Sequence, residues 1–178
     1  MHQFLLYSCA CNNGKTPEED NNLTIGYVFN ASKQQVFNAW ANIRQLAYWY
    51  FPDGCTLEIY EHDFREKGIF LYSIFNPVAI TQHISRGVYR EIIPEEKIIY
   101  SLTFADFKGN PVDPLFAGLP EWPAETIITV KFCEWKGQTY LSLHQTISEK
   151  LAQRIGLRTT WLNMFRHLEK HLSALPAL

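Results

Sequence analysis

Six histidines and four cysteines are the side chains of this sequence best suited to chemistry. His62, Asp63 and Arg65 stand together in "HDFREKG", His83 and His144 fall in separate strand-like runs, and His167 and His171 lie four apart near the C-terminus. An imidazole that titrates near neutrality can act as acid, base or metal ligand. A thiolate metal site, however, needs about four ligands, usually supplied as close pairs, and Cys9 and Cys11 form the single C-x-C here while Cys55 and Cys133 stand far along the chain. "HLEKH" also places its Glu differently from the H-E-x-x-H of metalloproteases. No metal and no cofactor is therefore expected. Cys9 and Cys11 read as a free dithiol in a tail, and Cys55 and Cys133 fit small buried apolar positions.

The carboxylates form no catalytic pair. Asp63 and Arg65 are two apart in an extended run, so they face the same side, where an ion pair explains them. Glu91 precedes a proline turn, and Glu58 and Glu61 read as a solvated face. No G-x-S-x-G turn, P-loop or G-x-G-x-x-G occurs, so neither acyl transfer nor nucleotide chemistry is indicated and no catalytic residue is assigned.

The aromatic residues are more informative. "NAWANIRQLAYWYFPDGC" places Trp40, Tyr48, Trp49, Tyr50 and Phe51 just ahead of a Pro-Asp-Gly turn. They could form a core, a nucleic-acid stacking surface or the mouth of an apolar pocket. A formal net charge of -2 supplies no basic groove for stacking, so no nucleic-acid partner is expected. With 47% apolar and 19% charged residues, the 178-residue chain has a globular composition and a length that suits one domain. No apolar run reaches the roughly 18 to 20 residues of a membrane span. The start "MHQFLLYSCAC" lacks a basic n-region, so the expected location is cytoplasmic.

The elements that must position these residues follow from periodicity. Residues 1–22 contain a polar, turn-rich stretch from residue 11 onward and read as a flexible N-terminal tail, with residues 174–178 as a C-terminal tail. "LTIGYVFN" reads as a strand. Asn30 or Ser32 can cap a helix carrying Val36, Phe37 and Trp40, and after Asn42 a second short helix carries Leu46 and Trp49 until Pro52 and Gly54 end it. Six strand-like runs follow, from "CTLEIYEH" to "TYLSLHQTI", separated by short turns that imply an antiparallel meander. The loop over residues 109–123, with Phe116, Leu119 and Trp122 among its prolines, reads either as a cover over an opening or as a plug at the sheet edge. Residues 148–173 form the longest helical pattern, with Leu157, Trp161, Met164, Leu168 and Leu172 on one stripe. Such a helix must lie on one face of the sheet, giving an α+β architecture in the order β-α-α-β-β-β-β-β-β-α.

That order resembles the activator-of-Hsp90-ATPase-homologue-1-like (AHSA1-like) family of the START-like, or SRPBCC, superfamily. The resemblant pieces are "ASKQQVFNAWANIRQLAYWYFPDG", "HDFREKG", "GVYREIIPEEKIIYSLTF", "VKFCEWKGQTYLSL" and "GLRTTWLNMFRHLEKHL". Lys67 and Thr160 depart from it, standing where the family often has glycine, and Thr160 is expected to narrow any space beside the helix. The resemblance implies a helix-grip fold over residues 23–173, a curved antiparallel sheet around the C-terminal helix, with a cavity between them for a hydrophobic small molecule or lipid. The residues it implies as ligand-binding are Trp49, Phe51, Tyr72, Tyr89, Phe104, Trp161 and Phe165. A chaperone partner is the alternative that the family name implies, and a cyclase or dehydratase activity using His83, His144, Arg65 or Tyr72 is a third. Monomer and homodimer remain equally open.

Overall fold

The computed structural model describes residues 21–175. Cys9, Cys11, most of the expected N-terminal tail and residues 176–178 of the C-terminal one lie outside the described residues. Strand β1 (Asn22–Phe29) leads to helix α1 (Lys33–Ala41), whose start is set by a capping box: Ser32 accepts from the Gln35 N–H while the Gln35 side chain accepts from the Ser32 N–H. Asn42 ends α1 in an extended conformation and caps α2 (Ile43–Leu46) by accepting from the Arg44 N–H. These short helices bury Val36, Phe37, Ala39, Trp40 and Leu46, the apolar positions recurring at helical spacing.

Six further strands follow: β2 (Thr56–His62), β3 (Ile69–Asn76), β4 (Thr81–Ile93), β5 (Lys97–Phe104), β6 (Thr126–Trp135) and β7 (Gln138–Ser148). The sheet is antiparallel in the order β1-β7-β6-β5-β4-β3-β2, so consecutive strands from β2 to β7 pair and β1 returns beside β7. The expected meander and the α+β class are both present. One difference concerns the last helical segment, which is two helices, α3 (Glu149–Arg154) and α4 (Leu157–Ser173). Gly156 separates them in the left-handed region at φ 71°, a conformation that interrupts helical bonding, and the Arg158–Glu149 ion pair at 2.8 Å spans the break.

Helix α4 lays Trp161, Met164, Phe165, Leu168 and Leu172 on the sheet's concave face, and each such burial contributes about 1.5–3 kcal/mol. The core joins this stripe to Leu23, Ile25 and Phe29 of β1, to Trp40 and Trp49, and to alternate residues of β3 through β7. The outer face carries a small second cluster of Leu71, Ile84 and Ala105, backed by Ile69. Cys133 is buried on β6, and it is disulfide-bonded rather than the free apolar thiol its isolation in the sequence suggests. Among the described residues no helix is long and apolar enough to cross a membrane.

The turn between β2 and β3 is built on close backbone approach. Asp63 and Arg65 form the expected ion pair, 2.7 Å apart and largely exposed. Lys67 occupies a left-handed conformation at φ 64° and donates its N–H to the Tyr89 carbonyl at 2.7 Å. Gly68 packs so tightly that an added Cβ would sit 2.0 Å from the Asp63 carbonyl oxygen, a backbone atom that cannot swing away. Gly68→Ala is therefore expected to destabilise the fold by more than about 2 kcal/mol, in the range of strongly disruptive single substitutions. A urea denaturation midpoint matching the wild type would contradict this packing.

Candidate functional site

Strand parity builds one wall of a cavity. Tyr72 faces Ser85 across β3 and β4, and Ser85 faces Phe104 across β4 and β5. One step of two along, Ile74 faces His83, and after another step Asn76 faces Thr81. Side chains two apart share a face, so these rows run from an aromatic inner end to a polar outer one. Leu102 joins the same wall from β5. Opposite stand Leu157, Thr160, Trp161 and Met164 of α4, with Ile155 from the break before it. Pro52, Asp53 and Cys55 close one side from the α2–β2 loop, while Leu119 and Trp122 close another from the long loop after β5. The cavity volume is about 470 Å³.

Buried hydrogen bonds hold the wall in place. Trp161 Nε1 donates to Gln145 Oε1 at 3.0 Å, and Gln145 Nε2 donates to Thr126 Oγ1 at 3.2 Å, fastening α4 to β7 and β6. Thr160 faces the cavity with its hydroxyl donated back to the Gly156 carbonyl at 3.1 Å. On the loop side, Asp53 Oδ1 lies 2.7 Å from His167 Nε2, and the Phe51 carbonyl lies 3.1 Å from His167 Nδ1. These contacts seat the residues after α2 against α4. Trp122 packs edge-on against Phe104, 5.8 Å between centroids, so the long loop serves as a cavity wall while Phe116 at its tip is 85% exposed.

Of the residues expected at a binding site, Tyr72, Phe104 and Trp161 lie in this wall. The other four sit outside it. Trp49 is wholly buried behind Trp40 and donates Nε1–H to the Ala39 carbonyl at 3.0 Å. Phe165, one turn beyond Trp161, packs on Tyr27 and Phe29 of β1. Tyr89 is carried into the core beside Phe64, Tyr100 and His62. Phe51 packs on the His167 ring, 5.0 Å away.

Tyr50, Ser85, Gln145 and Met164 face the cavity although the sequence reading did not select them. Periodicity within β3 places Ile74 and Asn76 beside Tyr72. In β4 the register shifts between Tyr89 and Glu91, and both faces are partly covered, which obscures the alternation. Of the polar residues named for catalysis, Tyr72 and His83 face the cavity, Arg65 pairs with Asp63 at the surface, and His144 alternates with buried Leu143 and Gln145 and so points to the other face. Among the described residues no group of three His, Cys, Asp or Glu side chains is arranged to hold a metal ion.

Burial sets the protonation of the wall. Tyr50, Tyr72 and Tyr100 are desolvated, which pushes their phenols up and keeps them neutral. Burial pushes the Cys55 thiol up and the His83 imidazole down. His62, in contact with the Tyr89 hydroxyl at 3.1 Å, is likewise pushed down by burial, with Asp63 acting in the opposite sense.

A family model described as "Activator of Hsp90 ATPase homolog 1-like protein" matches residues 30–173. The fold is also that of several solved structures. A protein from Arthrobacter aurescens shares 23% identity with a TM-score of 0.74, covering 89% of each chain. One from Staphylococcus epidermidis shares 22% identity with a TM-score of 0.74, covering 90% of this chain and 95% of its own. The AHSA1 protein from Silicibacter pomeroyi shares 15% identity with a TM-score of 0.67, covering 85% and 97%. Among curated proteins, none matches the chain.

The depressed histidines give a pH dependence with a definite sign. Below the ordinary imidazole value of about 6.5, the unfolded chain binds protons at His62 and His83 that the folded chain resists. Stability from these groups is full above that value and is lost as pH falls through it toward their folded values. The urea midpoint is expected to drop between pH 7 and pH 5, and the drop to flatten in the His62→Gln/His83→Gln variant. An equal slope in both proteins would contradict the buried, neutral state of these rings.

Proposed function

The chain belongs to the Activator of Hsp90 ATPase homolog 1-like family, and from that premise we propose that residues 23–173 act as one START-like unit that binds a hydrophobic small molecule between the sheet and α4. The observation that carries this reading is the cavity of about 470 Å³, within the roughly 300–1,000 Å³ typical of small-molecule sites. Its lining supports it too: Ile74, Leu102, Phe104, Trp122, Trp161 and Met164 offer an apolar body, with His83, Ser85 and Thr160 among the few polar groups set into it. Such a surface binds by removing ligand area from water, at about 25 cal/mol per Å² before the costs of ordering.

Tyr72, Phe104 and Trp161 touch the ligand in this reading. Trp49, Phe51, Tyr89 and Phe165 act one layer back, fixing the segments from which the wall is made. The function is binding, and no side chain is assigned a catalytic role.

Delipidated protein is expected to bind the uncharged fluorophore N-phenyl-1-naphthylamine saturably at one site. Leu102→Trp, which adds bulk to the cavity without emptying the core, should weaken that binding at least about tenfold, the equivalent of about 1.4 kcal/mol, with little change in thermal midpoint. Absence of saturable binding, or full affinity in Leu102→Trp, would overturn the reading.

A further inference from the structure

Four hydroxyl-bearing residues stand near the inner end of the cavity, Ser85, Tyr72, Tyr50 and Tyr100. Tyr50 Oη is 2.9 Å from Tyr100 Oη. The Tyr50 and Tyr72 rings stand at 90° with centroids 5.3 Å apart, and the Tyr72 hydroxyl makes no hydrogen bond with another described residue. Ser85 faces Tyr72 directly across the strand pair. All four residues are more than nine-tenths buried, with exposures of 8% for Ser85, 4% for Tyr72 and 2% for Tyr50 and Tyr100. Ser85, Tyr72 and Tyr50 line the cavity, and Tyr100 stands behind it.

The Tyr50 and Tyr100 hydroxyls satisfy each other. Among the described residues the Tyr72 hydroxyl has no acceptor for its proton. A buried donor left unpaired costs about 1–3 kcal/mol. Tyr72 lines the cavity, so an occupant can take that proton.

The charges of the lining narrow the occupant further. Among the described residues no Lys or Arg faces the cavity, Asp53 does, and His83 is half-buried with no hydrogen-bond partner. A carboxylate or phosphate head would be desolvated there with no cation to meet it.

We propose that the Tyr72 hydroxyl is a donor subsite, and that the ligand is an uncharged, largely apolar molecule carrying a carbonyl or ether oxygen at the end it inserts. This inference rests on the cavity-binding reading above and adds the chemistry of the inserted end.

The test uses two probes of nearly equal shape, 2-acetylnaphthalene, which has the acceptor oxygen, and 2-isopropenylnaphthalene, which lacks it. Affinities are measured by calorimetry on the wild type, Tyr72→Phe and Ser85→Ala, and the bound ketone's carbonyl stretch is read by infrared difference spectroscopy. Tyr72→Phe should weaken the ketone about tenfold, as expected for one lost hydrogen bond, and leave the hydrocarbon within about twofold. The bound carbonyl stretch should lie at lower frequency in the wild type and Ser85→Ala than in Tyr72→Phe. Equal losses for the two probes, or a wild-type carbonyl at the frequency of an unbonded ketone, would overturn the donor subsite while leaving the binding cavity intact. The second readout needs only the wild type, so it stands even if Tyr72→Phe folds poorly. If neither probe binds the wild type, both the subsite and the cavity reading fall.

Discussion

The buried hydrogen bond from Trp161 to Gln145 sets the geometry on which the rest depends. It fastens α4 above β7, and through Gln145 and Thr126 also above β6. A donor and acceptor buried this deeply must stay paired, because separating them leaves uncompensated polar groups in the core. The helix therefore sits close over the β1, β7 and β6 side, where Phe165 and Leu168 are wholly buried. Among the described residues no comparable bond draws it down over β3 to β5, and Tyr72, Phe104 and Leu102 line the cavity. The cavity is the gap left by a helix pinned along one side of the sheet.

The aromatic stretch before the Pro-Asp-Gly turn supports that arrangement in two ways. Trp40 and Trp49 pack against each other with 4.7 Å between centroids, and Trp40 stacks on Trp161 at 6.3 Å, which braces α4 from the side of the short helices. Tyr50 continues the group into the cavity wall, where its hydroxyl meets that of Tyr100. The same run of residues is thus core at Trp40 and Trp49 and cavity surface at Tyr50. Large aromatic side chains suit both roles because they bury much area at little rotamer cost, and the polar edge of tyrosine can face a site.

The fold was legible because its signals are long and local. Runs of β-prone residues between turn signals marked the strands, a cap at Asn30 or Ser32 with apolar residues at helical spacing on both sides of Asn42 marked the first two helices, and the stripe from Leu157 to Leu172 marked the last. The break at Gly156 was hidden because apolar residues recur at helical spacing on both sides of it, from Leu151 to Trp161. The site was less legible. Parity could not separate the faces of β4, since a register shift follows Tyr89 and a second cluster buries Ile84 on the outer face. Trp161 and Phe165 share one apolar stripe, yet one faces the cavity and the other packs on β1, a difference helical spacing alone does not encode.

Native mass spectrometry of freshly purified protein, with gas-phase release and identification of any adduct, shows whether the cavity holds a ligand. A discrete, uncharged, oxygen-bearing apolar molecule is expected, bound one to one in the wild type and missing from Leu102→Trp. An adduct retained by Leu102→Trp, or a bare chain that also fails to take up N-phenyl-1-naphthylamine, would contradict the cavity reading.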